Sequence, residues 1–495
     1  MTTNRFLLLL GIILFVGIQQ AFAQQYQAKI IDAKTETPIV YGTIETGPNR
    51  GLITNEEGIF TVNIQDLKEV DSIYISALGY KKKGLAWRTA TDSIIKLMPE
   101  AFKLKGVFLT DKQLAVEQII DSIKAHFVTN YTGNLTQQKI FLRQSDLNRM
   151  SKADIEFKES SIEELNEALI DSVVKIIPRT SSFYRETLFD YYGTYTGHKI
   201  NVIKAAQLYD KSNEGSLEAL GQKLERIFKE NVKPDSYLKI KSGIFGTKVQ
   251  LDSVVNNNDE AQVIEVKVND TVGDNYQETV KRQLDQVYQQ LFFQEDAKLD
   301  VFSKSNRYDF ELGDYTFIDD EAVYSIRFSP KGKRDFEGVM YVNTADYAVM
   351  RMEYENVRSL RRVKLLGISY EEAVFNGKLF FKKGSTGYIP TYIELVDGRN
   401  FGIKRPLKVI EKNKFVKGRR KQNELSLGLD FKNTQTIKYE FVVFDSEALS
   451  AESYSALAEK AAAKATYLSK YDPDFWKGYT IIEPNAAIRS FTVEE

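Results

Sequence analysis

The 495-residue chain contains no cysteine and two histidines, His126 and His198. Without cysteine there is no disulfide, no thiolate metal site and no lipid-modified cysteine at a mature N-terminus. A chain of this length can close its core without disulfides. Neither histidine lies in an H-E-x-x-H or H-x-H setting, so the constellations of the usual zinc hydrolases are missing and a Ser-His pair has little to draw on. Both histidines read as packing or surface residues. There is no Walker A motif and no G-x-G-x-x-G. Gly384-Ser385-Thr386-Gly387 is not a G-x-S-x-G elbow and lacks the strand-to-helix setting. No cofactor is called for. An excess of one charge is also missing: 67 basic residues face 68 acidic ones, net −1, which argues against a nucleic-acid partner.

What the chain has is 43% hydrophobic and 27% charged residues, with 27 Tyr and 30 Phe. That is a globular composition whose aromatics favour β structure. The length predicts two or three domains. Residues 1–23 read as a secretion signal: Arg5, an apolar run from Phe6 to Ile18, then Ala21-Phe22-Ala23. Cleavage is expected before Gln24. The run is shorter than the roughly 20 residues a membrane span needs, and no later stretch is long and apolar enough to cross as a helix. The expectation is an exported protein of the periplasm, of either face of the outer membrane, or secreted.

Residues 24–109 carry short apolar strands separated by turn formers. Asp32 and Pro38 mark the first turn, Gly51 closes a hairpin, and Thr54-Asn55-Glu56-Glu57-Gly58 precedes a strand with Phe60, Val62 and Ile64 on one face. Gly79-Tyr80 ends the strand after that, and Val107-Phe108-Leu109 is the last of about seven. Turn signals at roughly ten-residue spacing predict a seven-stranded β-sandwich. The order Asp32, Pro38, Gly51, Thr54, Gly58, Phe60, Gly79, Tyr80 resembles the carboxypeptidase-regulatory-like β-sandwich, common at the N-termini of exported Bacteroidetes-type proteins. The resemblance covers less than a fifth of the chain. It implies an accessory interaction module without catalytic residues, and no peptidase activity. The same module precedes the plug of TonB-dependent receptors, but no long barrel is read here, and the chain ends without the terminal aromatic usual for such barrels.

Residues 110–235 read as a helical middle region. Its helices are Lys112 to Phe127 capped by Asp111, Glu159 to Val174 stopped by Pro178, and Ser216 to Lys229 with Leu217, Leu220, Leu224 and Ile227 or Phe228 inward. Phe183-Tyr184-Arg185-Glu186 loosely resembles a stretch in relatives of this domain organisation. Residues 236–445 read as an antiparallel β-meander interrupted by one helix near Asn275 to Phe292. Ala261 to Val268 alternates as a strand. The meander is either a half-barrel around an apolar groove, broadly like periplasmic lipoprotein carriers, or a curved sheet whose aromatics are core. Residues 446–495 read as an Ala-rich helix, Ser446 to Ser469, and a tail anchored by Phe475 and Trp476. The fold class is therefore mainly β with α.

Glu56-Glu57, Asp319-Asp320 and Glu371-Glu372 are adjacent pairs, which on a strand point to opposite faces; the first two read as solvated turns. Arg358, Arg361, Arg362 and Lys364 form one basic cluster. Lys414, Lys417, Arg419, Arg420 and Lys421 form another, read as a solvated hairpin tip or a contact for anionic lipid or polysaccharide headgroups. Three functions follow. The first is a non-enzymatic binding or structural protein of the envelope, with a protein or envelope component as partner. The second is a lipid or lipoprotein carrier with an amphiphile in an apolar groove. The third is a carboxylate-only hydrolase such as a glycosidase. The concave face of residues 300–445 separates them.

Overall fold

The computed structural model describes residues 25–493, apart from 49, 90–91, 101–114, 132–134, 213, 234, 251–275, 320, 333–335, 385–386, 416–419 and 461–463. The signal segment, the strand Val107-Phe108-Leu109, the Asp111 cap and the Ala261 to Val268 alternation lie outside the described residues.

The first part of the chain contributes β1 (Gln25–Asp32), β2 (Thr43–Gly47), β3 (Arg50–Ile53), β4 (Ile59–Asn63), β5 (Ile73–Ser76), β6 (Lys83–Leu85) and β7 (Ile94–Leu97). β4, β1 and β7 make one small sheet, with β1 antiparallel to β4 and parallel to β7. β6, β5, β2 and β3 pair antiparallel in that order, and Arg50 of β3 bridges to Asp445 of the body. Local chemistry sets these turns. Asp32 Oδ1 accepts from the amides of Lys34 (2.6 Å) and Thr35 (2.9 Å), an Asx turn. Gly58 has φ +74°, and a Cβ there would stand 2.7 Å from the Ile30 carbonyl oxygen, so only glycine fits.

The body contributes β8 (Thr136–Ser160), β9 (Thr180–Thr194), β10 (Gly197–Tyr209), β11 (Ser236–Ser242), β12 (Phe245–Gln250), β13 (Tyr308–Ile318), β14 (Glu321–Pro330), β15 (Phe336–Asn343), β16 (Val349–Asn356), β17 (Arg361–Leu365), β18 (Ile368–Gly384), β19 (Gly387–Asn413), β20 (Lys421–Ala448) and β21 (Thr466–Leu468). The helices are α1 (Val116–Ala125), α2 (Phe127–Tyr131), α3 (Glu167–Ile176), α4 (Glu214–Asn231), α5 (Tyr276–Tyr288), α6 (Ala451–Ala456) and α7 (Ala486–Arg489). One large open sheet runs in the order β13, β14, β15, β16, β18, β19, β20, β8, β9, β10, β21, antiparallel throughout except for the last pair. β17 pairs with the lower end of β18, and β11, backed by β12, pairs with the lower end of β19.

β8, β19 and β20 are 25, 27 and 28 residues long. At about 3.3 Å per residue their contours approach 90 Å, so the sheet continues well past its main core. Along β19 the register with β20 is unbroken from Ile393 to Val409. Ile393, Leu395, Asp397, Arg399, Phe401, Ile403, Arg405, Leu407 and Val409 therefore share one face, called the inner face below. Its upper half is packed by α1, α2 and α5: Ile119, Ile123, Tyr131, Val280, Leu284 and Tyr288 meet Ile326, Met340, Leu379, Ile393 and Phe441. Its lower half is covered in part by α3 and α4. On the outer face, the first sheets and the C-terminal tail pack on the strands through Phe141, Tyr184, Phe380, Tyr392 and Val442.

Three expectations are corrected. Residues 110–235 are not helical throughout: β8, β9 and β10 run among the helices there. Residues Glu159 and Ser160 finish β8, and the helix begins only at Glu167. β8 pairs along its length with β20 on one side and β9 on the other, and this ladder overrides helical spacing at its end. The Ala-rich helix from Ser446 to Ser469 is also absent, because β20 continues through Ala448 opposite Thr136. Among the described residues of that stretch only Ala451–Ala456 is helical; beyond it Glu459 ties the chain to the body, accepting from the Ile200 amide at 2.9 Å. Finally, Leu217 and Leu224 of α4 do not pack inward. They are 42% and 39% exposed, while Ile227 is 1% exposed.

Candidate functional site

The upper inner face is solid. Tyr131 stacks on Phe293 at 4.8 Å and meets Phe292 and Phe381 edge-on at 5.2 and 5.3 Å, with its hydroxyl donating to the Val349 carbonyl at 3.0 Å. Edge and stacked aromatics at these spacings are packed core.

The lower inner face differs. A cleft of about 260 Å³ opens between the segment before α3, α4 and the sheet, lined by Ile162, Leu165, Leu224, Ile227, Phe228, Val232, Leu238, Val409 and Leu425. Glu411 and Asn423 close one end, bonded to each other at 2.8 Å, and Glu411 also accepts from the Lys233 amide at 2.9 Å. Glu424, paired with Lys408 and Lys421, also borders the cleft, and the remaining walls are apolar. From the cleft the inner face continues through Leu407, the buried Arg405 and Ile403 to Phe401, Ile368 and Leu365, the last three 47%, 40% and 62% exposed. Above, a polar belt separates cleft from core. Asp397 takes Lys298 at 3.0 Å and Arg399 at 2.9 Å. Burial pushes its pKa up, but Arg399 and Lys298 outweigh this and hold it below the usual carboxylate range. Beside it Asp146 accepts from Gln435 at 3.0 and 3.1 Å; burial leaves its carboxyl raised. An apolar trough with charged and amide groups at one end is the shape that takes an amphiphile.

The outer face carries a row of charge across the strands. Register neighbours run Glu186, Arg143, Glu440, Glu394, Lys378, Glu353. At the covered end Arg143, 1% exposed, bonds Glu186 at 2.7 Å and Glu440 at 3.5 Å and donates to the Ile482 carbonyl at 2.7 Å. Trp476 donates to the other oxygen of Glu186 at 2.7 Å. Glu394 takes Lys378 at 2.6 Å, Lys438 at 2.9 Å, and the hydroxyls of Tyr41 and Tyr392 at 3.1 Å. Burial pushes Glu394 up, yet the two lysines hold it below its ordinary value. At the open end the row enters a groove of about 780 Å³ lined by Glu311, Arg327, Glu337, Glu353, Glu355 and Lys378. Glu337 and Glu355 are cross-strand partners there, and both are exposed to water. A carboxyl that serves as general acid at neutral pH sits in an apolar setting instead.

The residues singled out by sequence fall as follows. Asp32 and Tyr80 meet, hydroxyl to Oδ2 at 2.9 Å. Thr54 Oγ1 donates to the Ile39 carbonyl and accepts from the Gly42 amide, both at 2.9 Å. Phe60 is fully buried, Pro38 bridges Ile31, Gly79 has φ +85°, and a Cβ on Gly51 would lie 2.9 Å from the Ile44 carbonyl oxygen. Glu56 and Glu57 are not a solvated pair. Glu56 reaches Lys438 at 2.5 Å, while Glu57 accepts from the Ala486 amide at 2.9 Å and pairs with Arg489; this turn clamps the first sheets to the body. Lys417 and Arg419 lie outside the described residues, and Lys421 pairs with Glu424. Lys414 and Arg420 are also engaged, so the described members of this cluster are not a free basic tip. His126 bonds the Ser122 carbonyl at 2.7 Å. His198 is buried against Tyr191 and Tyr288, and burial lowers its pKa. Among the described residues no group of three His, Cys, Asp or Glu is placed to hold a metal ion.

No family model matches the chain, and no curated protein matches it. Structural similarity reaches a DUF1329 family protein from Desulfovibrio piger (10% identity, 66% of this chain and 92% of that one, TM-score 0.17). It also reaches a putative outer membrane lipoprotein-sorting protein domain from Vibrio parahaemolyticus (8%, 69% and 97%, TM-score 0.19). A third is the Pseudomonas aeruginosa MucA/MucB complex (8%, 68% and 100%, TM-score 0.17). At TM-scores this low the superpositions carry no argument.

Proposed function

We propose that the chain is an exported, non-enzymatic envelope protein that binds an amphiphile on the lower inner face of its large sheet, as a lipid or lipoprotein carrier does. The observation that carries this is the half-filled inner face: the same strands that bury aromatics above leave a largely apolar cleft below, with Leu224 of its lining 39% exposed. At about 260 Å³ the cleft falls just under the roughly 300–1,000 Å³ of closed ligand pockets. It therefore accommodates part of an acyl chain, the remainder lying along Leu407, Ile403 and Phe401 and the headgroup near Asp397 and Arg399. The first sheets, whose markers resemble the carboxypeptidase-regulatory-like sandwich, act in this reading as a fixed cap on the outer face.

The test is binding of cis-parinaric acid by fluorescence to the chain lacking residues 1–23. Saturable binding is expected, weakened about tenfold or more by Leu425→Arg, which places a charge in an apolar wall. No saturable binding, or equal binding by that variant in its folded state, refutes the reading.

A further inference from the structure

A second feature lies beside the cleft and is independent of whether the cleft is filled. The hairpin β17–β18 points down the edge of β19, and the hairpin β11–β12 points up it, so their tips meet. Arg405 joins them: it donates to the Leu366 carbonyl at 2.7 Å and to Ser242 Oγ at 2.8 Å, and its guanidinium lies 5.1 Å from the Phe245 ring. Gly367 closes the contact, its carbonyl accepting from the Lys404 amide at 2.6 Å.

The pinned tips present apolar side chains to water. Ile244 is 84% exposed, Leu365 62%, Phe245 53% and Leu366 51%. Leu366 also holds φ +49°, a left-handed conformation that costs a leucine stability and that glycine or asparagine takes readily. An exposed leucine in a disfavoured conformation contributes nothing to this chain's own core, which points to a contact outside it.

The charge around the tips selects the partner. Residues 236–250 contain Lys239, Lys241 and Lys248 and no acid; residues 358–368 contain Arg358, Arg361, Arg362 and Lys364 and no acid. Among the acids nearby, Glu372 is the register partner of Arg361, Glu371 lies 3.8 Å from Arg362, and Asp430 lies 3.5 Å from Lys404; Arg362 and Lys404 stay at least three-quarters exposed. Elsewhere the charge is balanced or reversed: the groove on the outer face gathers Glu311, Glu337, Glu353 and Glu355. Exposed apolar tips ringed by lysine and arginine are the pattern of peripheral binding to anionic lipid, in which apolar side chains enter the headgroup layer while basic groups meet phosphates.

We propose that the two hairpin tips form a docking surface for an anionic lipid bilayer. Ile244, Phe245, Leu365 and Leu366 enter the headgroup region, and Lys239, Arg361 and Lys364 contact phosphate. Docked this way, the open end of the apolar face at Phe401 and Ile368 lies next to the bilayer, and the acidic groove lies on the other side of the sheet.

The test is co-sedimentation of the chain lacking residues 1–23 with phosphatidylglycerol–phosphatidylethanolamine vesicles and with phosphatidylcholine vesicles. Binding to the first and not the second is expected, falling as salt rises. The variant Ile244→Ser/Phe245→Ser/Leu365→Ser/Leu366→Asn loses about tenfold or more, and Leu312→Ser, at a leucine 38% exposed far from the tips, loses nothing. Asparagine suits the left-handed site, so the quadruple variant keeps its melting profile. No vesicle binding, equal binding to neutral vesicles, or binding unchanged in the quadruple variant overturns the proposal. So does a dimer, seen by sedimentation velocity, that the same variant dissolves while vesicles are not bound. Parinaric acid binding by the double variant Ile244→Ser/Phe245→Ser, which leaves the apolar face beside the cleft untouched, stays within about twofold of the parent, so failure here and failure of the carrier reading are distinguishable.

Discussion

Replacing Arg143 by methionine tests how the parts of the molecule are held together. The guanidinium is 1% exposed and holds Glu186 at 2.7 Å, Glu440 at 3.5 Å, and the carbonyls of Ile482 at 2.7 Å and Glu483 at 3.4 Å. Methionine fills much of the volume but leaves buried Glu186 without its cation, Glu440 with Lys438 alone at 3.5 Å, and two tail carbonyls without the Arg143 donor. Breaking a buried pair from one side costs about 3–5 kcal/mol, and the orphaned carbonyls fall within that figure because the losses share one site. Urea denaturation of the single variant should show this loss. Limited proteolysis should show earlier cutting after Ser469, since the tail loses its deepest buried tie and keeps the Trp476–Glu186 bond and its bonds to Glu57, Asn55 and Asn63 at the first sheets. The double variant Arg143→Met/Glu186→Gln removes one stranded charge and keeps an acceptor for Trp476, so it should recover at least half of the loss. A single variant within about 1 kcal/mol of the parent, the range of exposed pairs, would refute the reasoning. So would a double variant whose cost equals the sum of the two single changes, since that means no coupling.

Acid should weaken the same interface in a defined window. Glu394 is held below its ordinary value in the fold, so its pairing with Lys378 and Lys438 contributes fully above about pH 4.3, the unfolded value, and is lost as pH falls through the lower folded value. Glu394→Gln should therefore be less stable than the parent at pH 7, with the difference closing as pH drops toward 3; a difference constant with pH counts against the assignment. On the inner face, a Cβ at Gly377 would stand 2.3 Å from the Tyr354 ring, so Gly377→Val should cost about 1–3 kcal/mol by overpacking. The joint change Gly377→Val/Tyr354→Leu should recover part of that in thermal melts, and no recovery would place the strain elsewhere.

What could be read from the sequence was what neighbours in sequence decide. The Asp32 turn, the Gly58 turn and the buried alternation around Phe60 are each made within a few residues, and their chemistry is visible in the letters. The length of β8 was not visible. Its second half, Ser151 to Ser160, alternates half-exposed apolar and charged residues, and only pairing with β20, far along the chain, makes it a strand. The same holds for the charge network. Phe183-Tyr184-Arg185-Glu186 was noticed as a string, but the role of Glu186 depends on Arg143 in the next strand and on Trp476, 290 residues away. Glu56 and Glu57 looked solvated because glutamates in a glycine turn usually are; Lys438 and Arg489 sit across from them only in the folded chain. The cleft residues Leu238, Val409 and Leu425 carried one faint signal, an α4 whose leucine stripe is wider than the surface that covers it.

The two faces of the sheet explain each other. A sheet whose strands approach 90 Å in contour cannot be covered by three helices on one side, and α1, α2 and α5 cover only the upper half. The outer face has the opposite problem, a row of buried charge whose desolvation is costly unless every member is paired. The chain meets this by bringing in Tyr41 and Glu56 from its first sheets and Trp476 and the Ile482 carbonyl from its tail. Those elements make the upper half a rigid frame, with core on one side and a satisfied ionic layer on the other. The lower half has no such backing. Its apolar face is flanked by α3 and α4 and by two hairpins whose tips Arg405 joins. Stability is concentrated where the chain's own ends are held, and unsatisfied apolar surface is concentrated where nothing of the described chain covers it. A ligand that buries the lower face therefore adds stability there and disturbs little above. Hydrogen exchange with and without parinaric acid reads this directly, with protection gained in α3, α4 and residues 401–410 and none in α1 or α5. Protection spread evenly over both halves would mean that the sheet opens as one unit and that the division drawn here is wrong.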